Sequence, residues 1–181
     1  MGKTVVVYQS RYGATKRYAE WIAQELSCDL LNRREIGAAA LLPYDTVIYG
    51  GGLYAGGLAG VDLLTKNYAQ LRGKHMVLFT CGLADPADPE NVDHIRQGLN
   101  KALPPALRES AEIFHLRGAM DYSRLGPVHK TMMAMLHKMT LKKDDASLRE
   151  EDRQMLDTYG KTVDFTDRAA IEPLIRYVQS L

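Results

Sequence analysis

Thr4-Val5-Val6-Val7-Tyr8-Gln9 runs directly into Ser10-Arg11-Tyr12-Gly13-Ala14-Thr15, after which apolar residues recur at Ala19, Ile22, Ala23 and Leu26. A short unbroken β-branched run reads as a strand buried on both faces, and the spacing that follows lays one apolar face along a helix. A loop between two such elements aims several backbone N–H groups at a helix N-terminus, where the macrodipole also favours an anion. Ser10 and Thr15 supply hydroxyls, Gly13 permits close backbone approach, Ala14 leaves room and Arg11 adds a charge. The hexamer therefore suits a phosphate, although an ordinary polar turn with Thr15 capping the helix uses the same residues. Neither G-x-x-x-x-G-K-[ST] nor G-x-G-x-x-G stands here, which sets nucleoside triphosphates and NAD behind other phosphate ligands.

Similar units follow along the chain. A weaker second strand is expected at residues 29–32, a small helix or turn at 38–42 stopped by Pro43, and a third strand at Thr46 to Tyr49. Gly50-Gly51-Gly52 then opens a loop to Gly60, and Val61, Leu64 and Tyr68 give a helical face. The fourth strand is Met76 to Thr80, followed by a loop to Pro89, a helix near 90–103 ended by Pro104-Pro105, and a fifth strand at 113–116. Strands alternating with helices predict a doubly wound α/β fold with a parallel sheet. Beyond it, Gly126-Pro127 opens a helix to about Met139, Ser147 to Glu150 reads as a capping box, and a last helix runs near 166–181, its start delayed or kinked by Pro173.

In an open doubly wound sheet, ligands sit at the carboxyl ends of the strands where the order reverses, here strands one and three. The loop Gly52-Leu53-Tyr54-Ala55-Gly56 combines backbone that can approach a flat ring with an aromatic able to stack on it, Tyr54. Turn geometry alone also explains the glycines, with Tyr54 then only anchoring the loop. Thr80, Cys81, Gly82 and Asp85 after strand four would form the opposite wall. Cys81 reads as a small buried hydrophobe rather than a catalytic thiol.

Composition narrows the remaining choices. The chain has 181 residues, 46% of them hydrophobic, which suits one domain with a full core. Lys and Arg number 23 against 22 for Asp and Glu, so no overall field points to nucleic acid. Cys28 and Cys81 form no C-x-x-C, no apolar run approaches the ~20 residues that span a bilayer, and the N-terminus lacks a signal-peptide pattern. A cytoplasmic protein is expected. His75, His94, His115, His129 and His137 show no metal-ligand spacing, so the chemistry is expected from an organic cofactor.

Ser10-Arg11-Tyr12-Gly13-Ala14-Thr15 resembles the flavodoxin phosphate loop, usually T-x-T-G-x-T, and Tyr44 to Gly50 with Leu53 to Gly57 resembles that family's third-strand block. The resemblance spans roughly residues 3–118. It implies a flavodoxin-like five-stranded parallel sheet of order 2-1-3-4-5 with non-covalent FMN, held by Ser10 to Thr15, Gly52 to Gly56, Thr80 to Gly82 and Asp85. Tyr12 stands where many flavodoxins carry a Thr, and the balanced charge differs from the acidity of electron-carrying flavodoxins. Leu116 to Tyr122 and the Met-rich stretch after it are similar to the flavodoxin-like menaquinone-dependent protoporphyrinogen dehydrogenases, which carry an extra segment after strand five. That branch implies electrons passing from a reduced tetrapyrrole to FMN and on to a quinone. A flavodoxin-type carrier docking on larger redox enzymes, and a non-redox phosphate-binding module of the same fold, remain alternatives.

The extra segment, about 119–145, has its own polarity. Val128, Met132, Met135, Leu136 and Met139 make one apolar face, and between Arg117 and Lys143 six bases, Arg117, Arg124, Lys130, Lys138, Lys142 and Lys143, stand against a single acid, Asp121. Such a stretch suits an anionic membrane touched peripherally through 127–143, an apolar substrate bearing acids, or a second copy of the chain. It equally suits a helix packed on the sheet with its lysines in water.

Overall fold

The computed structural model describes residues 2–54 and 57–181. The expected frame is present. β1 (Thr4–Gln9) and β2 (Asp29–Asn32) flank α1 (Ala14–Leu26), and β3 (Thr46–Tyr54), β5 (His75–Gly82) and β6 (Ala111–Arg117) complete a parallel sheet of order β2-β1-β3-β5-β6. A two-residue β4 (Gly57–Leu58) pairs antiparallel with the end of β3.

Alternation along the strands divides the core into two faces. Val6, Ile48, Val77 and Phe79 point to α1 and to the C-terminal α8 (Glu172–Gln179), meeting Tyr18, Ile22, Leu174 and Val178. Val5, Val47, Tyr49 and Leu78 point the other way, under α2 (Asp62–Thr65), α3 (Tyr68–Leu71), α4 (Pro89–Ala102) and α5 (Pro105–Ser110), where Leu64, Leu71, Leu99 and Leu107 are fully or almost fully buried. Helices on both faces leave the carboxyl ends of β1, β3, β5 and β6 on one edge. The loops after them therefore meet there.

Several boundaries differ from expectation for identifiable reasons. Gly50-Gly51-Gly52 continues β3 instead of opening a loop, pairing with Tyr8 and Gln9 on one side and with Phe79, Thr80 and Cys81 on the other. A Cβ at Gly50 would fall inside the Phe79 ring, so packing rather than turn geometry requires glycine there. Pro104-Pro105 ends α4, but Pro105 also starts α5, because the first turn needs no N–H from it. Ser147 does not cap a helix. Its hydroxyl donates to the Asp144 carbonyl, and α7 (Glu150–Thr158) starts three residues later with the Asp152 carboxylate accepting from the Arg149 N–H at 3.1 Å. Pro173 does delay the last helix, which begins as a 3-10 turn at Arg168–Ile171.

The segment after β6 is more structured than expected. β7 (Ala119–Asp121) pairs antiparallel with β8 (Thr162–Asp164), and between them stand α6 (Pro127–Thr140) and α7. We refer to residues 119–165 as the cap. No helix among the described residues is long and apolar enough to cross a membrane.

Candidate functional site

The crevice at the strand ends is built from backbone turns and small side chains. Gly13, with φ of 103°, is the N-cap of α1, and no side chain hydrogen-bonds the first N–H groups of that helix, which also has no acid in its first turn. The loop is held by the Gly13 N–H donating to Ser10 Oγ at 3.1 Å. An uncapped helix N-terminus beside hydroxyls is a ready anion site.

Ser10, Tyr12, Ala14 and Thr15 line the crevice on one side, Gly52, Leu53 and Tyr54 on another, and Cys81 with Gly82 on a third, so three sequence-expected segments do converge. Leu83, Gly118, Ala119 and Met120 complete it. Gly118 is there because β6 must pass close to β5: its N–H donates to the Gly82 carbonyl at 2.6 Å, and a Cβ would lie 2.8 Å from Cys81 Sγ. Beyond Leu53, Gly82, Leu83 and Met120, which line both, the crevice opens into a cavity of about 450 Å³. Apolar side chains from β3, α4 and the cap form its walls, among them Leu53, Ile95, Met133, Leu136, Met155 and Phe165.

The other sequence-expected residues lie elsewhere. Arg11 is exposed and reaches the cap, with Nη1 3.5 Å from His129 Nε2. Thr80 is buried inside the sheet, its hydroxyl 2.8 Å from His115 Nδ1, and does not line the crevice. Asp85 is also turned away: its carboxylate takes hydrogen bonds from Arg117 Nη1 at 3.0 Å and from the Ala87 N–H at 2.9 Å. Ala55 and Gly56 fall outside the described residues.

Two ionisable groups in the crevice are held neutral. Burial pushes the Cys81 thiol up to about 12, outweighing a hydrogen bond with Thr15 that pulls the other way, so no thiolate nucleophile is present near neutral pH. Burial, with Tyr12 nearby, likewise raises Tyr54 to about 12. The Tyr54 ring stacks on His129, with centroids 5.2 Å apart and planes at 21°.

Gly118, Ala119, Met120 and His129 are not marked by the sequence as site residues. Gly118, Ala119 and Met120 lie two to four residues beyond the expected end of the fifth strand, at its carboxyl edge. No spacing signal marks His129.

Arg117, expected as part of a basic substrate face, is a strut. Its Nε donates to the Leu83 carbonyl at 3.1 Å, Nη1 to Asp85 and Nη2 to Gln154 Oε1 at 2.7 Å, while the guanidinium lies 3.8 Å from the Phe165 ring centroid. Lys143 is engaged too, with the Asp152 carboxylate. Arg124, Lys130, Lys138 and Lys142 remain exposed, beside an outward stripe in which Val128, Met135 and Met139 are 68%, 57% and 61% exposed.

The donor set fits a phosphate, the glycine-edged crevice a narrow linker, and the cavity a flat apolar ring, so the residues present suit FMN. Among solved structures, the chain is similar to a WrbA-like flavodoxin from Agrobacterium tumefaciens (26% identity, 64% of this chain and 83% of that one, TM-score 0.43). It is also similar to oxidised flavodoxin 2 from Bacillus cereus (23%, 64% and 85%, TM-score 0.40) and to two-electron reduced Megasphaera elsdenii flavodoxin (17%, 62% and 82%, TM-score 0.45). No curated protein matches the chain significantly. The flavodoxin domain model matches residues 5–147, which include the phosphate-type loop, all five parallel strands and α6, and the chain belongs to the flavodoxin domain family.

Proposed function

We propose that this chain is an oxidoreductase that moves electrons between two partners through non-covalent FMN, with Ser10 to Thr15 holding the phosphate and Leu53, Gly82 and Leu83 bordering the ring. The observation that carries this reading is the continuity between an uncapped helix N-terminus and an apolar cavity at the strand ends. FMN, when bound, accepts electrons from one partner and returns them to the other. The chain's own part is to bind the phosphate, exclude water from the ring with Leu53, Leu83, Met120 and Phe165, and offer a second ligand the remaining space.

For the partners, we favour a protoporphyrinogen-like tetrapyrrole as donor and a quinone as acceptor. Support comes from the resemblance of residues 116–122 and the Met-rich helix to the dehydrogenase branch. Lys130, Lys138 and Lys142 beside the exposed Met stripe suit an anionic membrane surface, where a quinone is met. The same stripe is the feature that favours the second reading, a carrier docking on a larger redox enzyme.

Reconstitution tests the reading in two steps. After incubation with FMN and gel filtration, the protein should retain visible flavin absorbance; colourless protein sinks the cofactor assignment and leaves the non-redox module. The flavin-loaded protein should then convert protoporphyrinogen to fluorescent porphyrin anaerobically when a menaquinone analogue is supplied. Flavin retained without porphyrin formation passes the reading to the carrier.

A further inference from the structure

Three rings from three separate parts of the chain meet above the crevice. Tyr12 belongs to the loop after β1, Tyr54 ends β3, and His129 stands in the first turn of α6. The Tyr12 hydroxyl lies 2.7 Å from His129 Nδ1, His129 stacks on Tyr54, and Tyr12 presents its ring edge-on to both, at 5.8 Å from His129 and 6.5 Å from Tyr54. The Arg11 guanidinium approaches the other ring nitrogen, with Nη1 3.5 Å from Nε2. All of the imidazole's polar capacity is thus spent on the loop that precedes α1.

Tyr12 and Tyr54 line the crevice from its two sides, whereas His129 does not line it and touches both. A side chain in that place sets the separation of the two loops. We propose that His129 is a positioning residue of the FMN site, through which the cap holds the phosphate loop and the β3 loop at the distance the cofactor needs. The proposal rests on the FMN reading above and adds a consequence to it. If the cap favours the FMN-binding arrangement of the loops, FMN must favour the docked cap by the same factor, because coupling between two sites is reciprocal.

His129→Ala removes one hydrogen bond and one ring stack, interactions whose individual contributions correspond to a loss of about three- to tenfold in affinity. FMN titrated into wild-type protein and H129A, followed by quenching of flavin fluorescence, should show that weakening while circular dichroism stays unchanged. His129→Asn, which keeps a polar group near the position of Nδ1, and His129→Phe, which keeps a ring without the hydrogen bond, should each restore part of the affinity. In the reciprocal arm, FMN should slow amide hydrogen exchange along α6 more in wild type than in H129A, the excess matching the ratio of the two affinities. Equal or tighter binding by H129A, no recovery in either conservative variant, or equal protection of α6 in both proteins overturns the proposal. Failure of the wild type itself to bind FMN overturns the FMN reading and the proposal together; binding by the wild type with an H129A ratio near one overturns the proposal alone.

Discussion

The sheet and the cap are held together by different physics. In the sheet, Val5, Ile48, Tyr49, Leu78 and Phe79 have no exposed surface, and the helices on both faces meet them through apolar contact. The cap is fastened at polar points: Arg117 to Gln154, Arg17 to Asp164, and His129 to Tyr12. Its longest helix buries only Thr140 fully and shows Met132, Met135 and Met139 to solvent. A packed core resists change of volume, whereas a polar fastening resists loss of charge or of geometry. The two regions should therefore fail under different insults.

The largest effect should come from the sheet. Gly50→Ala places a methyl group in the Phe79 ring and should cost about 3 kcal/mol in denaturant unfolding, the upper end of ordinary overpacking. A loss under about 1 kcal/mol would mean that the strands slide more easily than a close-packed core allows. Next, Arg117→Ala leaves Asp85 and Gln154 without their shared partner and should destabilise the cap by about 2 kcal/mol, the scale of hydrogen bonds to a charged group. Hydrogen exchange should rise across residues 119–165 while β1, β3 and β5 stay protected; uniform loss of protection would merge the two regions into one cooperative unit.

The smallest effect is set by acid. Burial disfavours the Asp164 carboxylate, but hydrogen bonds from Thr166 and Arg17 outweigh it and hold its pKa down to about 2. A carboxyl lowered on folding contributes stability that is complete above its unfolded value near 3.9 and is lost as pH falls towards 2. The contribution is modest because both partners are nearly half exposed. Between about pH 4 and pH 2, Asp164→Asn should therefore remove a small pH-dependent loosening of β8, read from the exchange of its amides. Identical acid profiles for both proteins would remove Arg17 from the fastenings of the cap.

The same contrast explains what could be read from the sequence. β1, α1 and β2 were legible to the residue or nearly so because burial dictates their periodicity, and Val5 to Val7 have no other way to be satisfied. The glycine run at 50–52 misleads because its cause is the bulk of Phe79 on another strand, which no local rule contains. The ribbon of β7 with β8 joins residues some forty apart, and Asp152 takes the cap that Ser147 offered. In the site, the loops that converge were legible from strand order, but Thr80 and Asp85 turn away and His129 enters. Those differences depend on side-chain partners from other elements.

The bond between the Gly118 carbonyl and the Phe165 N–H, at 3.1 Å, brings the two ends of the cap side by side. Tyr18 reinforces the junction, its hydroxyl donating to the Arg117 carbonyl and accepting from the Asp167 N–H. The chain thus leaves the sheet and rejoins it at one doorway, and the path between can lengthen, shorten or be exchanged with little strain on the strands, since loop closure depends only weakly on length. Evolution can in this way refit the surface above the crevice, and with it the choice of partner, while keeping the walls that β1, β3 and β5 supply.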